Sequence, residues 1–134
     1  MMRTALVRFV IALLLLSAGA AWASPSHPSI AGTYSNLRFN AEGSDLLGTE
    51  LLILPRRSGA DLAWTVVVQI AEGGAPCVAI APLTVKGESI EFSLPESSDC
   101  GALHFRGTLS PTEIVLKWDS GTIEHLKRGA SYWK

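Results

Sequence analysis

Charge is sparse in this chain and nearly balanced, with 11 basic and 12 acidic residues making up 17% of it. No basic stripe with interleaved aromatics occurs, so the footprint of a nucleic-acid binder is missing. Cysteine is confined to Cys77 and Cys100, 23 positions apart with no histidine close in sequence, which is not the spacing of a zinc site. The Gly-x-Ser-x-Gly nucleophile elbow is absent. The acidic loops Glu42-Gly43-Ser44-Asp45 and Ala71-Glu72-Gly73-Gly74 lack the spaced carboxylates of a calcium loop. Histidine occurs only at His27, His104 and His125. Catalysis needs two or three such groups to converge within hydrogen-bond distance, and these three read as solvated surface residues. The chain therefore reads as non-enzymatic, with no cofactor and no metal.

A long apolar run is also missing. The longest stretch, Phe9 to Ala23, falls short of the about 20 residues of a spanning helix and contains Ser17 and Gly19. It follows a short segment carrying Arg3 and Arg8, and it ends in Ala21-Trp22-Ala23. Basic, apolar and small residues in that order make a secretory signal. We place the cut between Ala23 and Ser24, because signal peptidase accepts only small side chains at the two positions that Ala21 and Ala23 fill. No cysteine follows for a lipid anchor. The expected product is exported, periplasmic or secreted, with no membrane anchor after cleavage. Residues 24–29 form a flexible Ser/Pro-rich lead-in, and 30–134 form one domain.

Export changes the balance of the remainder. Arg3 and Arg8 leave with the signal, so a 134-residue chain becomes a product of 111 residues with 9 bases against 12 acids. A single small domain of this size is marginally stable without help. An oxidising compartment permits a Cys77–Cys100 disulfide, which would contribute roughly 3 kcal/mol by closing a loop of about 24 residues. Two free buried thiols or a bridge between chains are the alternatives.

After the lead-in the pattern is short β-type runs separated by Gly, Pro, Asp and Ser. Eight strands are predicted, at 32–39, 48–54, 62–71, 77–85, 88–94, 102–109, 113–119 and 122–128. Ile90, Phe92 and Leu94 alternate with Ser89, Glu91 and Ser93, placing one row in a core and one in water. Ile114, Leu116 and Trp118 repeat the pattern, and Leu62, Trp64, Val66, Val68 and Ile70 form a longer inward row. Leu51-Leu52-Ile53-Leu54 is apolar on both faces, which calls for a cover. Lys86-Gly87, Ser110-Pro111-Thr112 and Ser120-Gly121 read as tight turns. Short links favour an antiparallel meander, and closure removes the exposed edges. The predicted fold is all-β, a small up-and-down barrel of about eight strands whose interior side chains can fill. An open β-sandwich is the runner-up.

Gly32-Thr33-Tyr34 resembles the Gly-x-Trp that opens calycin-type barrels such as the lipocalins, with Tyr in place of Trp. The resemblance implies that Tyr34 packs near a basic residue of the last strand, for which Arg128 is placed. Nearly the whole mature chain resembles a group of small exported bacterial proteins with no assigned activity. The likeness lies in Gly32-Thr-Tyr-Ser-Asn-Leu-Arg-Phe39, Asp45-Leu-Leu-Gly-Thr-Glu50, Val68-Gln-Ile-Ala-Glu-Gly73 and Leu126-Lys-Arg-Gly-Ala-Ser-Tyr-Trp133.

Two features are candidates for binding. Arg56 and Arg57 are expected on a basic loop tip, within a loop at 55–61, that could contact an anionic group. Tyr132 and Trp133 follow the last strand, either as an exposed aromatic contact site or as a tail that plugs one barrel end. The functional expectation is an exported non-catalytic barrel that binds a small apolar ligand or a protein. The alternative is a periplasmic inhibitor of a protease or other hydrolase, or an immunity-type protein.

Overall fold

The structure is a computed structural model that describes residues 29–134. The signal at 1–23, its cut between Ala23 and Ser24, and the lead-in as far as Pro28 lie outside the described residues.

Nine strands follow one another, β1 (Gly32–Ser35), β2 (Arg38–Asn40), β3 (Asp45–Ser58), β4 (Asp61–Glu72), β5 (Cys77–Lys86), β6 (Ser89–Leu94), β7 (Leu103–Leu109), β8 (Glu113–Trp118) and β9 (Ile123–Gly129). Each of β3 to β9 pairs antiparallel with its sequence neighbour. β1 pairs with both β9 and β3, which closes an eight-stranded barrel, and β2 extends the β3 hairpin beyond it. The meander puts alternate connections at opposite ends. One end carries Tyr34 and Arg128, and the other carries Trp118 and Glu124.

The period-two rows produce the core. β6 alternates strictly between exposed and buried residues, with Ile90, Phe92 and Leu94 inside. Every barrel strand sends a side chain to one buried cluster: Tyr34, Leu51, Val66, Ala79, Ile90, Phe105, Ile114 and Leu126. Phe92 stacks on Phe105 at 4.8 Å between ring centroids, and Phe105 meets Trp118 edge-on at 4.9 Å. Gly107 lets its aliphatic neighbours pack close to the strand. A Cβ on Gly107 would lie 3.0 Å from both Ile90 Cγ1 and the Val115 carbonyl oxygen.

The first predicted strand is two. β1 and β2 hold the same register against β3, but the ladder breaks between them at Asn36 and Leu37. The Asn36 side chain takes over a backbone role, its Oδ1 accepting from the Thr49 N–H at 2.7 Å. Leu37 then packs with Leu46 and Ala71 in a second, smaller cluster. Asp45 and Leu46 begin β3 opposite Asn40 and Phe39, so the link there is only Ala41–Ser44.

The predicted 55–61 loop is also corrected. β3 and β4 pair as far as Ser58 and Asp61, leaving a two-residue turn in which Gly59 has φ 63°. Pro55 pairs with Trp64 in a stretch where β3 has no second neighbour, because β1 stops opposite Ile53. A missing N–H is tolerated at such an edge. Leu62 lies on this projecting hairpin and is 64% exposed, outside the core row that the alternation assigned to it.

A second proline marks a seam. The β5–β6 ladder spans only Thr84 to Lys86, and it ends two residues short of Pro82, which has no N–H to give. The Cys77–Cys100 disulfide, with a Cα–Cα distance of 5.2 Å, joins the far end of β5 to the β6–β7 loop. The β5–β6 turn falls at Gly87-Glu88, one residue later than predicted, with Gly87 at φ 60°.

Candidate functional site

The barrel is filled, so sites for other molecules lie at its ends and on its wall. At one end Tyr34 is fully buried and donates its hydroxyl to the Ile30 carbonyl at 3.0 Å. The Arg128 guanidinium lies over its ring, 5.6 Å from the centroid. Arg128 Nη2 also donates to the carbonyls of Ser29 at 2.7 Å and Ala31 at 2.8 Å, tying the incoming chain to the last strand. Burial pushes the Tyr34 phenol above its ordinary pKa, and the Arg128 charge acts in the opposite direction. Beside this pair is an open recess of about 420 Å³, walled by Ile30, Tyr34, Leu109 and Pro111 with Glu88 and Arg128 at its polar margin.

The opposite end is built around Glu124. Its Oε2 accepts from the Thr49 hydroxyl and the Trp118 indole N–H, each at 2.8 Å, and its Oε1 accepts from Asn36 Nδ2 at 3.2 Å. Thr49, Trp118 and Glu124 all belong to inward rows, so barrel closure brings three strands and the β1–β2 break to one carboxylate. A recess of about 390 Å³ opens in front of it, and a second of about 360 Å³ adjoins, sharing Ile70, Glu72 and Trp118.

The tail plugs neither end. It folds back over the outer wall, where the Ser131 hydroxyl and the Tyr132 N–H donate to Glu50 at 2.6 and 2.9 Å. Trp133 Nε1 donates to Gln69 Oε1 at 2.8 Å. Glu50 is left 3% exposed beneath it, while Tyr132 and Trp133 remain 39% and 53% exposed. The cover expected for the outward side of β3 is partial, since Leu54 is still 42% exposed and Ile80 of β5 is 67% exposed. Arg56 and Arg57 are exposed on the β3–β4 hairpin, as strand residues opposite Ala63 and Leu62 rather than on a loop tip.

One convergence was not expected from the sequence. On the outer face of β6 and β7 the Ser93 hydroxyl lies 2.7 Å from His104 Nδ1, and Glu91 Oε1 lies 3.0 Å from His104 Nε2. The cross-strand register, with Ser93 opposite His104 and Glu91 opposite Arg106, assembles it. Its components match a nucleophile, a base and an orienting acid. Acyl transfer also needs donors aimed at a developing oxyanion and exclusion of water. The backbone here belongs to sheet ladders, and Glu91 is 48% exposed on the outer wall. In this register the three side chains form a cross-strand polar pairing.

Comparison with protein-family models, with curated proteins and with solved structures finds no match to this chain.

Proposed function

We propose that this protein is an exported, non-catalytic, calycin-like barrel that binds a small, mainly apolar ligand at its Tyr34–Arg128 end. The observation that carries this is the recess of about 420 Å³ at that end, where apolar walls meet a few polar groups at the rim of a filled barrel. That size and lining suit a small-molecule site. The Cys77–Cys100 bond and the amino-terminal signal pattern support export. The exposure of Ser93 and Glu91 on either side of His104 supports a non-catalytic role.

Native mass spectrometry of protein purified from the exported fraction tests the reading, followed by titration with aliphatic and aromatic probes. A retained or added ligand is expected, with Ile30→Glu and Pro111→Glu weakening it while the protein stays folded. A protein that binds none of the probes would exclude a small-ligand role. A protein partner is the second reading, favoured by the exposed apolar wall of Leu54, Val78, Ile80 and Trp133. Inhibition of a secreted protease or other hydrolase, abolished by Ile80→Glu, would select it.

A further inference from the structure

We propose that the Glu124 end is a separate binding site for a small organic cation, with Trp118 as its aromatic wall and Glu124 and Glu72 as its charge partners. It is a different mouth from the one assigned to an apolar ligand, and neither reading depends on the other.

Two recesses lie side by side at this end, and Ile70, Glu72 and Trp118 line both. Glu72 and Glu124 line the larger recess and Asp99 the smaller one, and among the described residues no Lys, Arg or His lines either. The three donors that fix Glu124 are a hydroxyl, an indole and an amide, all neutral. They orient the carboxylate without cancelling its charge. Among the described residues Oε1 has a single partner, at 3.2 Å, which leaves it a lone pair for another donor.

Trp118 is equally preorganised. Its N–H is committed to Glu124, and its ring sits edge-on to Phe105 with an interplanar angle of 72°. The ring borders both recesses, and an ammonium group is attracted to an aromatic ring. The volume of about 390 Å³ admits a compact organic molecule. A bare metal ion is a poorer fit. No three metal-ligating side chains converge among the described residues, whereas calcium takes six or more oxygens. An ammonium on an apolar body matches the opening, with its charge toward Glu124 and Glu72 and its body on Ile70 and Trp118.

Calorimetric titration of the folded, disulfide-bonded protein with benzylammonium, benzyltrimethylammonium and the uncharged benzyl alcohol tests the site, with the Trp118 indole N–H followed by NMR. Saturable one-to-one binding of at least one ammonium ion is expected, weakening as salt is raised, with no saturation by benzyl alcohol. Among the described residues Glu72 makes no side-chain hydrogen bond, so Glu72→Gln keeps the fold and should weaken binding by about fivefold at low salt. Trp118→Phe should weaken it as well, and Pro111→Glu, at the other end, should leave it unchanged. The proposal is overturned if neither ammonium saturates below about 20 mM, if benzyl alcohol binds equally well, or if Glu72→Gln has no effect. Binding of calcium in preference to the ammonium ions would also overturn it.

Discussion

The Arg128 guanidinium stands over the Tyr34 ring, 5.6 Å from its centroid, at the end of the barrel where the domain begins and its last strand ends. The pair joins β1 to β9, the two strands whose contact closes the sheet.

Its pH dependence is the first prediction. Burial favours the neutral phenol of Tyr34, so the folded protein holds that proton more tightly than the unfolded chain does. The associated stability is complete below the ordinary tyrosine pKa of about 10 and is lost as pH rises past it. Urea unfolding on both sides of that value should show the loss, and Tyr34→Phe should reduce the slope. At neutral pH Tyr34→Phe should cost about 1 kcal/mol, through the lost bond to the Ile30 carbonyl.

The disulfide closes the seam that Pro82 leaves between β5 and β6. Reduction, or Cys77→Ser with Cys100→Ser, should lower stability by about 3 kcal/mol in the chain-entropy model. Unfolding curves with and without reductant measure it. A reduced protein equally stable would show that the seam holds without the bond.

Glu50 is buried under the tail and accepts from Ser131 and Tyr132. Removing 130–134 should destabilise the barrel by about 1–3 kcal/mol, the scale of hydrogen bonds to a charged group. Glu50→Gln and the truncation act on the same contacts, so their effects should add to less than the sum. Full additivity in a double-mutant cycle would show that the tail is held by something else.

Gly48 has φ 111°, and a Cβ there would lie 2.5 Å from Asn36 Oδ1 and 2.7 Å from the Asn36 carbonyl oxygen. Gly48→Ala should therefore displace Asn36, release its bonds to Thr49 and Glu124, and cost about 2–3 kcal/mol. Thermal unfolding gives the cost. The indole N–H resonance of Trp118, bonded to the same carboxylate, should shift with it.

The alternation of Ile90, Phe92 and Leu94 with Ser89, Glu91 and Ser93 is legible residue by residue, and the barrel follows it closely. Leu62 fails because alternation reports a face, and it cannot say whether the face still has a barrel behind it. The break at Asn36 was hidden because a side chain imitates a backbone carbonyl, leaving the local composition strand-like. Pro55 and Arg56 looked like a loop because a proline ends most strands, and only the absence of a second neighbour makes it harmless.

The candidate sites were less legible for a similar reason. Glu124 reads as a polar residue on a short strand, since its partners Thr49 and Asn36 lie 75 and 88 positions away. Ser93, Glu91 and His104 meet only through the β6–β7 register.

What the sequence determined by itself was the class of fold, because side chains on a strand alternate and a period of two is written in neighbouring residues. The turns and the available pair of cysteines were written there too. The tertiary structure alone decided which residues share an end. Closure sets β1 against β9, and side chains distant along the chain then meet at Tyr34 with Arg128 and at Glu124 with Thr49. No local pattern encodes those meetings, because they depend on the register around the whole barrel.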